Sequence, residues 1–131
     1  MVTARILIVE DEAIVAVDIQ KTLKALGYDV PATAFSGEEA LQKTEELHPD
    51  VVLMDIVLRG QMDGIEVAQE IQERFGIPSI FMTGYSEELL ERLNILHPLL
   101  YVSKPVDEKE LHTAILKALK ERREHSFKIG S

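Results

Sequence analysis

Short apolar runs recur along this chain at intervals that leave room for one helix between each pair. Arg5-Ile6-Leu7-Ile8-Val9 is continuous and β-branched, Val51-Val52-Leu53-Met54 is a second continuous apolar run, and Pro78-Ser79-Ile80-Phe81-Met82 and Leu99-Leu100-Tyr101-Val102 are further strand segments. Runs without polar alternation are buried on both faces, which is the condition of strands in a parallel sheet. Tyr28 to Ala34 is a second, weaker strand. The intervening segments carry helix signals. The first runs from Asp11 or Glu12 to Leu26, with Gly27 as a stop. Ser36 is an N-cap with Glu39 three residues on, a capping-box pattern, for a helix reaching Leu47. Further helices are expected over 65–75, 87–96 and 107–124, and 125–131 is expected to be a frayed, flexible tail. Five strands alternating with five helices predict an α/β fold, a doubly wound five-stranded parallel sheet with helices on both faces. One domain over 1–124 accounts for the 131 residues.

In an open sheet of this kind, sites form beyond the carboxyl ends of the strands. The residues there are Glu10 and Asp11, Asp55, Thr83 and Gly84, and Lys104 and Pro105. Three crowded carboxylates repel one another, and a hard divalent cation removes that cost. A carboxylate can also act as a nucleophile and carry an aspartyl phosphate. Mg²⁺, the Lys104 ammonium and the Thr83 hydroxyl would each take one phosphoryl oxygen, and Gly84 would leave room beside them. Each fragment alone has a plainer reading. Glu10-Asp11 could be the first turn of a helix, Asp55 a turn residue and Thr83-Gly84 a turn. The information lies in all of them falling at successive strand ends.

That set resembles the response-regulator receiver domain over essentially the whole chain. The resemblance rests on Ile8-Val9-Glu10-Asp11-Glu12, Leu53-Met54-Asp55, Met62-Asp63-Gly64, Met82-Thr83-Gly84 and Tyr101-Val102-Ser103-Lys104-Pro105. It implies a flavodoxin-like strand order 2-1-3-4-5. It implies Asp55 as phosphoacceptor, Glu10 and Asp11 as the acidic pair serving Mg²⁺, and the backbone carbonyl of Val57 as a further metal ligand. It makes Thr83 and Tyr101 a switch pair and Lys104 the phosphate-binding lysine, with the Lys104–Pro105 bond cis. The implied partners are a histidine kinase or phosphotransfer protein and a downstream effector or fused output domain. A signal would shift the face formed by the fourth helix, fifth strand and fifth helix. The stretch from Ile56 to Asp63 is one residue longer than the commonest receiver pattern, so its loop is expected to differ in shape.

Composition narrows the partners. There are 23 Asp plus Glu against 14 Lys plus Arg, a formal charge of −9, which repels nucleic acid and anionic lipid. There are no cysteines, so thiolate sites and disulfides are excluded, and no apolar run is long enough to span a membrane. The cytoplasm is the expected compartment. The four histidines, His48, His97, His112 and His125, do not form a ligand set. Ala16, Ile19, Leu23 and Leu26 share one helical face, whereas Ile14 and Val17 fall off it, exposed beside the acidic site where a kinase could dock. Glu87, Glu88 and Glu91 could pair with Lys117, Lys120 and Arg123 across a two-fold axis, so the chain is expected to be a monomer or a phosphorylation-dependent dimer. Three other readings of the fold remain. An aspartyl-phosphate hydrolase would want an acid two residues after Asp55, where Val57 stands. A flavin-binding domain would not place Glu10-Asp11 against a phosphate. An interaction module that is never phosphorylated would have no need of Asp55, Thr83 and Lys104 together.

Overall fold

The structure is a computed structural model that describes residues 3–58, 62–84 and 100–130. The elements are β1 (Ile6–Val9), α1 (Ala13–Ala25), β2 (Thr33–Ala34), α2 (Gly37–Leu47), β3 (Val51–Asp55), α3 (Gly64–Phe75), β4 (Ser79–Thr83), β5 (Tyr101–Ser103) and α4 (Glu108–Gly130). All five strands run parallel in the order β2-β1-β3-β4-β5. The expected fourth helix over 87–96, with Glu87, Glu88 and Glu91, lies outside the described residues.

Strand residues alternate between two cores. Ile6, Ile8, Leu53, Ile80, Met82 and Val102 pack against Ala16, Ile19 and Leu23 of α1 and Leu111, Ile115 and Ala118 of α4. Leu7, Val9, Val52, Met54 and Phe81 face the other way, against Ala40 of α2 and Ile65, Val67 and Ile71 of α3. This is the doubly wound arrangement, and it explains why the strand sequences show no polar alternation. Burying each of the larger of these side chains, the Val, Leu, Ile, Met and Phe residues, contributes on the order of 1.5–3 kcal/mol. The expected core stripe of α1 is buried except for Leu26, which is half-buried, while Ile14 and Val17 are exposed as their spacing requires.

The differences from expectation have local causes. β2 is confined to Thr33–Ala34, with an isolated parallel bridge from Arg5 to Asp29. Pro31 lies between the two and has no N–H to give a ladder. The last helix continues to Gly130, past the expected end at 124, because residues 125–129 contain neither proline nor glycine. Ser36 caps α2 by accepting from the Glu39 amide at 3.1 Å. The reciprocal capping box occurs instead at α3: Asp63 accepts from the Glu66 amide at 2.9 Å, and the Glu66 carboxylate accepts from the Asp63 amide at 3.5 Å. In the lengthened loop, Leu58 is buried, whereas 59–61 lie outside the described residues.

Candidate functional site

The site is assembled by backbone bonds that continue the ladder beyond the strands. The Glu10 amide donates to the Ala34 carbonyl at 3.0 Å, Ile56 to Met82 at 3.2 Å and Lys104 to Thr83 at 2.9 Å. Glu10 just past β1, Asp55 at the end of β3, Thr83 at the end of β4 and Lys104 just past β5 are thereby held at one edge of the sheet. Glu10 is wholly buried, and Asp55 and Thr83 are each 5% exposed. Buried polar side chains of this density are uncommon unless paired.

The carboxylates of Glu10, Asp11 and Asp55 can each place an oxygen within 4.8 Å of the others. Lys104 reaches across from β5, with Nζ 2.9 Å from Glu10 Oε2 and 3.1 Å from Asp55 Oδ2. Asp55 Oδ1 accepts from the Val57 amide at 3.2 Å, and Glu10 Oε1 accepts from the Glu12 amide at 3.2 Å. Burial pushes the Glu10 carboxyl above its ordinary range; the Lys104 ammonium pulls it back, and the negative charge of Asp55 adds to the rise. Burial pulls Lys104 down, but its bond to Glu10 and the charge of Asp55 outweigh that, and its pKa lies above the ordinary value.

One ammonium therefore serves two buried carboxylates, with Asp11 alongside. The donor set is all oxygen, partly open to solvent through half-buried Asp11, and rich in negative charge. It suits a hard divalent cation such as Mg²⁺, which takes one or two carboxylates and keeps several waters. Among the described residues no histidine takes part: His48 packs edge-on against Phe75, and His112 Nδ1 pairs with the Tyr28 hydroxyl at 3.1 Å, while His97 lies outside the described residues.

The remaining expected residues surround this centre. The Thr83 hydroxyl donates to the Gly84 carbonyl at 2.6 Å, so it is turned to its own backbone and not to Asp55. A Cβ on Gly84 would meet nothing within 4 Å, so the space there does not depend on glycine. Tyr101 is 47% exposed and pairs with Phe81 in the sheet, two residues before Thr83. Val57 is 64% exposed beside the site. The Lys104–Pro105 bond is cis, as the resemblance implied. Two features escaped the sequence reading. The Lys104–Glu10 pair links strand ends that are distant in sequence, and no local pattern announces it. The Asp63-x-x-Glu66 box is a local signal and could have been found.

A doubly wound parallel sheet in the order 2-1-3-4-5, with an acidic cluster and one lysine at its carboxyl edge, defines a flavodoxin-like α/β module. The chain belongs, more specifically, to the response regulator receiver domain family, which it matches over residues 6–116. It is 35% identical over 124 residues to the transcriptional regulatory protein PdtaR of Mycobacterium tuberculosis, covering 94% of this chain and 60% of that protein. It is 36% identical to the alkaline phosphatase synthesis transcriptional regulatory protein PhoP of Bacillus subtilis, covering 92% of this chain and 50% of that one. The chain thus spans between half and 60% of the length of these curated relatives. Among solved structures, the signal receiver domain of a modulated diguanylate cyclase from Desulfovibrio desulfuricans superposes with a TM-score of 0.86 at 34% identity, covering 95% of this chain and 99% of that one. A CheY-like receiver from Methanospirillum hungatei gives 0.78 at 30% identity, covering 95% and 99%. Receiver domains are signalling modules of two-component systems. No helix among the described residues is long and apolar enough to cross a membrane.

Proposed function

We propose that this receiver domain accepts a phosphoryl group on Asp55 from a phosphohistidine donor, a histidine kinase or phosphotransfer protein. The observation that carries the reading is the Lys104 ammonium lying within 3.1 Å of both the Glu10 and Asp55 carboxylates at the carboxyl edge of the sheet. In the transfer, the Asp55 carboxylate attacks phosphorus, a P–O bond forms and the P–N bond to the donor imidazole breaks. Glu10, Asp11, Asp55 and the Val57 carbonyl would hold Mg²⁺, which neutralises charge on the phosphoryl oxygens when bound.

The chain's own groups do the rest. Asp55 Oδ1 is held by the Val57 amide and Oδ2 by Lys104, and Oδ2 attacks as Lys104 moves on to the phosphoryl group. Lys104 turns from Glu10 to a phosphoryl oxygen. Thr83 exchanges its bond to the Gly84 carbonyl for another phosphoryl oxygen, beside Gly84. The space Thr83 vacates is taken by Tyr101 turning inward from its exposed position, a local charge event biasing a two-state surface. That surface, β5 with the helices beside it, would meet the effector or output domain, as a monomer or a phosphorylation-dependent dimer. Neither direct nucleic-acid contact nor membrane attachment belongs to this reading, and a cytoplasmic setting fits it. The Val57 side chain offers no carboxylate or carboxamide to orient attacking water, so self-dephosphorylation is slow.

Intact-protein mass after incubation with acetyl phosphate tests the reading. The expected result is a gain of one phosphoryl group with Mg²⁺, none without it, and none in Asp55→Asn. Folded wild-type protein that gains nothing from acetyl phosphate or from a phosphohistidine donor contradicts it.

A further inference from the structure

Gly64 opens α3 directly against the peptide that follows Asp55. Its amide donates to the Ile56 carbonyl at 3.0 Å. A Cβ built on it would overlap the carbonyl oxygen of Asp55, and would lie 2.9 Å from both the Asp55 carbonyl carbon and the Ile56 Cα. These are backbone atoms and cannot rotate aside. The other described glycines differ. A Cβ on Gly37 would meet the Val67 side chain at 2.6 Å and only more distant backbone, 3.6 Å from the Met62 carbonyl oxygen. Gly27 and Gly76 have positive φ but open space around them. Gly64 is therefore required for room and not for an unusual backbone conformation.

We propose that Gly64 is a positioning residue for Asp55: its missing side chain lets the first turn of α3 press on the Asp55–Ile56 peptide and fix where the carboxylate stands. The proposal deepens the phosphoryl-transfer reading and rests on it for its chemical consequence. The pressed segment cannot retreat freely, because the Ile56 amide is bonded to the Met82 carbonyl of β4 at 3.2 Å. The helix cannot retreat freely either, because Ile65, Val67 and Ala68 are buried in the core just behind Gly64. The Asp63–Glu66 capping box holds the same turn from the other side. The two residues after Asp55 also carry the groups that matter. The Val57 amide holds Asp55 Oδ1, and the Val57 carbonyl is the proposed backbone ligand for the metal. A methyl group at position 64 must displace either the peptide or the helix, and both move Asp55 relative to Glu10 and Lys104.

The test compares full-length wild type, Gly64→Ala and Gly76→Ala. Gly76→Ala places a side chain at φ 66, away from the site, and so controls for lost stability. Three quantities are read: the Val57 amide resonance without metal, the Mg²⁺ dissociation constant, and the rate of phosphorylation by acetyl phosphate. In Gly64→Ala the amide shifts, Mg²⁺ binds about tenfold more weakly and phosphorylation slows about tenfold, as for other residues supporting a ligand from behind. Gly76→Ala melts earlier but matches wild type in all three. Gly64→Ala that behaves like Gly76→Ala overturns the proposal. If wild type neither binds Mg²⁺ nor takes a phosphoryl group, the functional reading fails, and the Val57 amide alone decides the placement: displaced in Gly64→Ala only, it stands, and otherwise it falls. If Gly64→Ala does not fold, Asp63→Ala, which loosens the same turn, must weaken Mg²⁺ binding by about threefold; unchanged affinity overturns the idea.

Discussion

The two ends of the sheet handle charge in opposite ways. At the carboxyl end, three carboxylates cluster, two of them share one lysine, and Glu10 and Asp55 are almost fully buried. At the amino end, Arg5 and Arg122 meet Asp29 and Asp50 in equal number. Asp50 accepts from the Arg5 amide at 2.8 Å and from Arg122 at 2.8 Å; Arg122 also reaches the Pro49 carbonyl at 3.2 Å, and Arg5 lies 3.8 Å from Asp29. These side chains are a quarter to a half exposed. These bonds join β1, β3 and α4 and match charge for charge. Among the described residues, the carboxyl end is left short of positive charge. Stability does not require such a deficit, whereas a site that is to hold a divalent cation does.

The largest effect expected from breaking this contrast is at Lys104. Lys104→Met strips the counter-ion from buried Glu10 and Asp55 and lowers the stability of metal-free protein by about 2–3 kcal/mol, since half of a buried pair is costly to leave behind. Urea melts check this, and added Mg²⁺ must recover most of the loss. Next is the pH dependence set by Glu10. Its carboxyl is raised above 4.5 in the folded protein, so between 4.5 and the folded value the native state holds a proton that the unfolded chain has released. This group's contribution is most favourable below 4.5 and is lost as pH climbs through the folded value. Melts in EDTA across that range should show Glu10→Gln losing less stability with rising pH than wild type.

The amino end should behave differently. Arg122→Ala removes a partly exposed ion pair and one carbonyl contact, costing about 1 kcal/mol in the same melts, with no recovery by Mg²⁺ and no change in phosphorylation. The smallest effect is at Ser79, also at the amino end, whose buried hydroxyl has no hydrogen-bond partner. Ser79→Ala should leave stability unchanged or raise it by up to about 1 kcal/mol.

The sheet was legible because its strands are buried on both faces, which turns each into an uninterrupted apolar run such as Ile6–Val9 or Val51–Met54. The site was legible for a related reason: a parallel sheet puts every strand's carboxyl end at one edge, so Glu10, Asp55, Thr83 and Lys104 could be gathered without coordinates. What escaped depends on distance across the chain. Nothing near Lys104 announces that it binds Glu10 as well as Asp55, and the tripeptide Met62-Asp63-Gly64 does not disclose that Gly64 rests on the Asp55 backbone. β2 was overextended because Tyr28 and Val30 are apolar residues that pack on the core without joining a ladder. The last helix was cut short because its basic residues near 122 and 123 resemble a final turn.

The most direct measurement is the identity of the phosphorylated residue. Protein treated with acetyl phosphate and Mg²⁺ is reduced with borohydride, which converts an aspartyl phosphate to homoserine, and its peptides are sequenced by mass spectrometry. Homoserine at position 55, absent when Mg²⁺ is withheld, is the expected result. Homoserine at another aspartate, or an unmodified Asp55 in protein that has gained phosphoryl mass, would contradict it.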